Sequence, residues 1–253
     1  MMLDLIKLRR RHGRPVIKDL RRATVKPPFR GFPQLREGDC PDGCQACLRA
    51  CPTGALTTRP LRLDLGACLF CGDCEAACPA GMVRFTSAHR LGASRREALI
   101  VSPGQSAEGF AGTAIEARRE IHSLFGRSLK LRQVSAGGCN GCEMELGACG
   151  NVNFDLGRFG VDFVASPRHA DGLVLTGPIS RPMAPALSDA YRSLGRPKIV
   201  MAAGACAIQG GLFAESPEID RSFLAEIPVD LFLPGCPPHP LTVIRAVLDF
   251  LGR

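Results

Sequence analysis

The chain has 253 residues, 45% of them hydrophobic, with 13 cysteines, one tyrosine, no tryptophan and a formal charge of +8. At about 100–200 residues per domain the length allows one or two domains, and the apolar content excludes wholesale disorder. No run approaches the ~18 apolar residues of a membrane-spanning helix. The start, MMLDLIKLRRRHGRP, has neither the apolar stretch nor the A-x-A site of a secretory signal. An oxidising destination is therefore not expected, and the cysteines read as metal ligands before disulfides.

The charge is concentrated at one end. Residues 1–36 carry 11 Lys/Arg against Asp4 and Asp19, a net +9, and the rest of the chain is close to neutral. This basic arm reads as a solvated or docking segment, with an acidic membrane surface as the alternative. Its aromatic residues, Phe29 and Phe32, offer little for stacking on nucleic acid, which is not an expected partner. A cysteine-dense region follows at 37–86, in which CLRACPTGAL (47–56) repeats as CEAACPAGMV (74–83). LRLDL (61–65) between the halves predicts a short strand. Residues 87–128 read as a linker with some structure of its own. In it, ALIVS (98–102) is either a strand or an extended docking piece, and IEARREIHSLF (115–125) has helical spacing at Ile115, Ile121, Leu124 and Phe125.

From 129 to 253 strand and helix signals alternate. LKLRQVS (129–135), VDFVA (161–165), GLVLTG (172–177), KIVMAAG (198–204) and VDLFLPG (229–235) predict strands. MAPALSDAYRSLG (183–195) and PLTVIRAVLDFLG (240–252) predict helices, each closed by glycine. The expected class is α/β: a flavodoxin-like open parallel sheet with helices on both faces, preceded by a small α+β domain.

Two cysteine runs are dense: Cys40-x3-Cys44-x2-Cys47-x3-Cys51-Pro52 and Cys68-x2-Cys71-x2-Cys74-x3-Cys78-Pro79. A C-x2-C-x2-C-x3-C-P run supplies three thiolates to one [4Fe–4S] cluster and a fourth to its neighbour. Cluster A then takes Cys40, Cys44, Cys47 and Cys78, and cluster B takes Cys68, Cys71, Cys74 and Cys51. A pair of zinc sites is the alternative, but zinc sites usually use two separated pairs. The extra residue between Cys40 and Cys44 widens the first loop. A sparser set is Cys139, Cys142, Cys206 and Cys236. Each follows a predicted strand, at the carboxyl edge where open α/β sheets place ligands. Four thiolates can converge there to hold a further cluster, and the surrounding glycines would let backbone N–H groups approach its sulfurs; unrelated buried cysteines at strand ends are the alternative. Cys149 is left over and reads as a small buried helix residue.

Residues 29–86 resemble bacterial-type two-cluster ferredoxins. FRGFP (29–33) and LDLGACLFCGDCEAACP point more narrowly to the ferredoxin-like polypeptides of formate hydrogenlyase and complex I. GGCNGCEMEL (137–146), FDLGRFG (154–160), SPRHADGLVLTG (166–177), MAPAL (183–187), GACAIQGGLF (204–213) and PGCPPHP (234–240) are similar to two related families. These are the small subunit of energy-converting [NiFe]-hydrogenases and the 20 kDa, cluster-N2 subunit of NADH:quinone oxidoreductase. The resemblance implies one [4Fe–4S] cluster, cluster C, on Cys139, Cys142, Cys206 and Cys236, beside the active site of a catalytic large subunit. It places the C-x-x-C pair on the hydrogenase side, because the complex I branch has adjacent cysteines. His239 stands where the family usually has arginine.

The resemblance further implies an oxidoreductase subunit without a complete active site of its own, relaying electrons to or from the large subunit. Further membrane subunits would hold it peripherally at the cytoplasmic face of the inner membrane. A complex I-like quinone reductase, a nickel-free hydrogenase relative and a free-standing soluble ferredoxin are the alternatives. Among single residues, Glu145 is a candidate proton or partner contact and Glu143 is expected at the surface. Arg158 and Arg168 pair either with a cluster, with a partner or structurally. His169 and His239 are expected to be structural, and Asn140, Gly177, Pro178 and Met183 to shape loops. No G-x-G-x-x-G or Walker loop follows a strand, so nucleotide binding is not expected.

Overall fold

Repetition shapes the first half of the molecule and strand alternation the second. The computed structural model describes residues 2–13, 15–38, 40–116, 119–126 and 128–253. Helix α1 (Met2–His12) is followed by a strap at residues 17–25 that lies on the body. The Ile17 N–H donates to the Asn153 carbonyl at 2.9 Å, Arg158 Nη2 donates to the Ile17 carbonyl at 2.7 Å, and Leu20 is only 4% exposed. Arg14 of the basic arm lies outside the described residues.

The cysteine-dense unit contains β1 (Pro33–Leu35), α2 (Ala46–Ala50), β2 (Leu56–Thr58), β3 (Leu61–Asp64), α3 (Asp73–Ala77) and β4 (Val83–Phe85). The two halves of the repeat give matching turns: α2 ends at Cys51 and α3 at Cys78, and the proline after each cannot continue the helix. β1 and β4 pair antiparallel with Pro33 opposite Phe85, and β2 and β3 form a hairpin. β5 (Ile100–Val101), from the stretch read as a linker, joins β3 as a third strand with Val101 opposite Leu63. In α4 (Ala107–Thr113), Phe110 is buried against Phe32, ring centres 5.2 Å apart. Residues 117–118 of the helix expected over 115–125 lie outside the described residues, and α5 covers Arg119–Phe125.

The α/β unit follows with β6 (Leu129–Ser135), α6 (Gly141–Ala148), β7 (Val161–Phe163), β8 (Gly172–Thr176), α7 (Met183–Arg192), β9 (Ile199–Ala203), α8 (Ala205–Gln209), α9 (Ser222–Glu226), β10 (Leu231–Leu233) and α10 (Pro240–Phe250). The sheet is parallel throughout, in the order β10-β9-β8-β6-β7. That is the flavodoxin-like order, with its direction of winding reversing between β6 and β8. Because side chains alternate along a strand, the apolar runs are buried on both faces. Leu173, Leu175, Val200, Ala202 and Phe232 face one core; Val174, Ile199, Met201, Leu231 and Leu233 face the other.

The second face is covered by α10 and α6 of the same unit together with α5 of the preceding segment. The first is covered only in part by α7, α8 and α9; Leu63, Leu65, Leu91 and Leu99 of the N-terminal half complete that core. Residues 87–99 join the two halves. Ala93 forms an antiparallel bridge with Phe232, with N–H···O distances of 3.1 and 2.8 Å. Gly92 sits so close to α10 that a Cβ there would lie 2.4 Å from the Ala246 methyl. Arg90 reaches Asp249 at 3.0 Å, and Arg245 holds the same carboxylate from within α10 at 2.8 Å.

Phe110 and His89 make this packing testable. Phe110→Ala leaves a buried cavity against Phe32 and is expected to cost about 3–5 kcal/mol; a denaturant titration showing a loss of less than about 1 kcal/mol would contradict a packed segment. His89 is buried at the junction, and its burial, followed by His239, Arg90 and Arg245, pushes its pKa from 6.5 to about 4. The unfolded chain takes up that proton first as pH falls, so stability is full above pH 6.5 and declines from there through pH 4. Melting curves of His89→Gln should show a shallower loss between pH 6.5 and 4 than the parent chain.

Candidate metal-cluster sites

The repeated turns bring the first eight cysteines into two groups. Side-by-side packing of α2 and α3 sets Cys47 in electrostatic contact with Cys78, Cys40 and Cys44. Cys68 likewise interacts with Cys74, Cys51 and Cys71. Cys51 and Cys78, at the ends of the two helices, each stand with the other half's cysteines. Cys47, Cys68 and Cys74 are buried and the other five are half-buried.

Burial, then neighbouring sulfurs, pushes the Cys68 thiol up to about 12 and the Cys74 thiol to about 11. Such thiols are protonated in the metal-free chain, so metal uptake must displace their protons. The repeat extends to hydrogen bonds. The N–H of Ala55, four residues after Cys51, points at its Sγ at 3.2 Å, and that of Met82 does the same for Cys78. Phe70 N–H reaches Cys68 Sγ at 3.3 Å. Donors of this kind stabilise anionic sulfur and tune a cluster.

The third group forms at the carboxyl edge of the parallel sheet. Cys139 lies between β6 and α6, Cys142 in the first turn of α6, Cys206 in α8 after β9, and Cys236 after β10. Cys142 interacts with Cys206, Cys236 and Cys139. Its thiol is pushed up to about 12 by burial, then by Glu143 and the other sulfurs. Cys139 and Cys236 are exposed. Gly204, which follows β9 and is the N-cap of α8, has φ +91°, and a Cβ there would lie 2.5 Å from Cys142 Sγ. Only glycine leaves that space for the sulfur. Across the junction Cys236 interacts with Cys71 of the second group, beside a cavity of about 200 Å³ lined by Phe29, Phe70, His239 and Thr242.

The donor chemistry fits iron–sulfur clusters: each group offers four thiols, with N–H donors or glycine-cleared space around the sulfurs. Among the described residues no three His, Cys, Asp or Glu side chains close on a point tightly enough for a single metal ion.

The remaining candidates fall elsewhere. Glu143, expected at the surface, is instead half-buried: its carboxylate accepts the hydroxyl of fully buried Thr176 at 2.6 Å. Burial raises its pKa, but hydrogen bonds from Ser135 and Thr176 outweigh this and hold it below the usual carboxylate range. Glu145 is half-buried, and its pKa is raised by burial. Cys149 is fully buried and donates to the Glu145 carbonyl at 3.3 Å. His239 caps α10, its Nδ1 accepting the Leu241 N–H at 3.1 Å, and stands between the rings of Phe29 and Phe154. Arg158 is taken up by the strap and by the Phe159 ring. Arg168 and His169 are exposed, Asn140 and Gly177 adopt positive φ, and Met183 opens α7.

Two arginines stand near the sulfurs although neither is a candidate site residue in the sequence, Arg30 lying within FRGFP and Arg221 in no motif. Arg30 Nε donates to the Phe70 carbonyl at 2.7 Å, beside Cys71. Arg221 donates to the carbonyls of Cys206, Ala207 and Ile208. Neither lies in a cysteine motif, and only the packed turns reveal them.

Residues 139–250 match the family model of the NADH ubiquinone oxidoreductase 20 kDa subunit, and residues 39–82 match a 4Fe-4S dicluster domain. The chain is 41% identical over 134 residues to a probable membrane-bound hydrogenase subunit, mbhJ, of Pyrococcus furiosus, covering 53% of this chain and 80% of that protein. It is 40% identical over 126 residues to formate hydrogenlyase subunit 7 of Escherichia coli, covering 50% of this chain and 49% of the relative. It is 44% identical over 99 residues to an NADH-quinone oxidoreductase subunit of Desulfovibrio desulfuricans, covering 39% of this chain and 54% of the relative. A chain in the solved structure of an archaeal membrane-bound sulfane sulfur reductase aligns with a TM-score of 0.43 at 28% identity, covering 53% of this chain and 71% of that one.

Gly204→Ala should block the third group alone. Reconstituted with iron and sulfide, the variant is expected to hold less iron than the parent chain; an undiminished iron content would show that the sulfur does not need this space.

Proposed function

We propose, from the premise that this chain belongs to the family of the NADH ubiquinone oxidoreductase 20 kDa subunit, that it carries electrons through three [4Fe–4S] clusters in a membrane-associated oxidoreductase of the [NiFe]-hydrogenase or formate hydrogenlyase kind. The observation that carries this reading is the gathering of twelve cysteines into three groups of four. In it Cys40, Cys44, Cys47 and Cys78 hold cluster A, Cys68, Cys71, Cys74 and Cys51 cluster B, and Cys139, Cys142, Cys206 and Cys236 cluster C. Such clusters, when bound, take up and release single electrons at potentials set by charge, hydrogen bonding and exposure.

The chain's own residues fix where these sites stand. The Ala93–Phe232 bridge and the shared core hold Cys71 near Cys236, so the second and third groups are neighbours. The N–H groups of Ala55, Phe70 and Met82 supply positive dipoles to the sulfurs they reach. Cys139 and Cys236 lie open at the sheet edge, exposed Met144 (69%) shares α6 with Cys142, and exposed Leu212 (63%) and Phe213 (50%) lie in the turn that follows the Cys206 helix. Apolar side chains so placed suit a large partner subunit that excludes water from cluster C. Substrate chemistry belongs to that partner, and Glu145 is a contact through which a proton or the partner meets this site. The domain division that goes with this reading is a basic arm (1–36), a two-cluster unit (37–86), a connecting segment (87–128) and the α/β unit (129–253).

No described helix is long and apolar enough to cross a membrane. Attachment at the cytoplasmic face of the inner membrane would come through membrane subunits of the complex. α1, with exposed Leu3, Leu5, Ile6 and Leu8 beside Lys7 and Arg9–Arg11, adds a basic, apolar contact of its own. The similarity to the Desulfovibrio desulfuricans NADH-quinone oxidoreductase chain supports a second reading, the equivalent subunit of a quinone-reducing complex.

Anaerobic purification and metal analysis test the proposal. The chain should hold about twelve irons, and Cys206→Ser about eight; an iron-free parent chain, or a Cys206→Ser chain with undiminished iron, overturns the cluster reading. Capture of the native complex then separates the two enzymes. Nickel with hydrogen-dependent dye reduction supports the first, and quinone reduction without nickel selects the second.

A further inference from the structure

Arg221 is a half-buried cation without a carboxylate partner: among the described residues it forms no ion pair. The adjacent Asp220 is engaged elsewhere, accepting the Ser222 N–H at 3.0 Å. Every bond of Arg221 runs to backbone oxygen. Nη1 reaches the Cys206 carbonyl at 3.2 Å and the Pro178 carbonyl at 3.5 Å; Nη2 reaches the Ala207 and Ile208 carbonyls at 2.9 and 2.8 Å. α8 has only five residues: the Cys206 carbonyl accepts the Gly210 N–H at 2.9 Å, while those of Ala207 and Ile208 lack partners within the helix. One guanidinium fork bonds all three and ties the turn to the loop leaving β8.

The charges around Arg221 are equally specific. Its electrostatic neighbours are Arg96, which repels it, and Cys206, which attracts it. Arg96 is itself neutralised by Asp64 at 2.8 Å and bonded to Gln209 at 3.0 Å. Carbonyl dipoles solvate Arg221 but leave its net charge uncompensated, and a buried charge without a counter-ion is costly. Cys206, whose backbone it already holds and whose sulfur becomes anionic on ligating iron, is the group within its electrostatic reach.

We propose that Arg221 is the positioning residue and fixed counter-charge of the third cluster: its fork fastens the turn bearing Cys206, and its positive charge favours the electron-loaded state. This rests on the reading of Cys139, Cys142, Cys206 and Cys236 as a cluster site. Each electron taken up makes that site more negative, so a cation held beside it raises the potential. Lysine keeps the charge but not the planar fork; methionine keeps comparable bulk and neither.

The experiment is a redox titration of the complete holo chain, followed by electron paramagnetic resonance, with iron counted in each sample. In Arg221→Met, with full iron, the reduced-to-oxidised ratio of the third cluster at a fixed potential should fall at least tenfold, a midpoint about 59 mV lower for one electron. The other two clusters should not move. Arg221→Lys should keep its midpoint near that of the parent while losing the third cluster sooner on warming. An unmoved midpoint in fully loaded Arg221→Met overturns the proposal and leaves the cluster reading intact. Should Arg221→Met not retain the cluster, Arg221→Gln, an uncharged donor, is titrated against the same criterion. Loss of the cluster from the Met, Gln and Lys variants alike overturns the counter-charge role. A parent chain with only about eight irons overturns the cluster reading, and the proposal with it.

Discussion

One face of the parallel sheet is only partly covered by its own helices. α7, α8 and α9 shield part of it, and Leu63, Leu65, Leu91 and Leu99 of the N-terminal half fill the rest. That shared core constrains everything around it. Water cannot separate the two halves without exposing fully buried leucines, at about 25 cal/mol for each Å² of apolar surface. The Ala93–Phe232 bridge adds directional hydrogen bonds to this adhesion. The distance from Cys71 to Cys236 is thereby set by a hydrophobic core and not by a flexible tether.

Electrostatics at the sulfurs works against the same burial. Twelve thiols in three groups would repel as thiolates, and burial already pushes Cys68 and Cys142 to about 12. The metal-free chain avoids the cost by keeping the protons on. Binding iron exchanges those protons for a charge that must be solvated, and the chain provides for this with peptide dipoles and arginines. Ala55, Phe70 and Met82 direct N–H groups at sulfur, and Arg221 brings a full charge to the turn of Cys206. Glu143 acts in the opposite sense at Cys142, but its carboxylate is pinned by Thr176.

The end of the basic arm enters the cysteine-dense unit through β1 and fully buried Phe32, and the rest divides into two physically different pieces. Residues 17–25 form a strap whose Leu20 is part of the core beneath α10, and Arg158 fastens it. α1 beyond it exposes both its leucines and its arginines. A count of charges cannot separate these pieces, because Lys and Arg mark the strap and the helix equally. Burial of one leucine separates them.

The sequence by itself determined the parallel α/β class, because its strand runs are apolar on both faces and alternate with helices. It also marked the ferredoxin-type unit, because a repeated C-x2-C-x3-C-P is a local feature that survives without knowledge of packing. Strand β6 has the predicted bounds of 129–135, since a seven-residue apolar pattern between polar turns leaves little choice. Tertiary structure alone decided how the two halves meet. Residues 87–128 read as a linker because their contacts are with distant partners, Ala93 with Phe232 and Phe110 with Phe32, and periodicity does not record such contacts. It also decided the surroundings of the third cysteine group. Glu143 read as a surface acid until Thr176, a buried hydroxyl 33 residues away, was found to hold it. Arg221 lies 15 residues from Cys206 in sequence and on its backbone in space. Metal-ligand spacing is written along the chain, but the charges that tune a ligand are brought to it by folding.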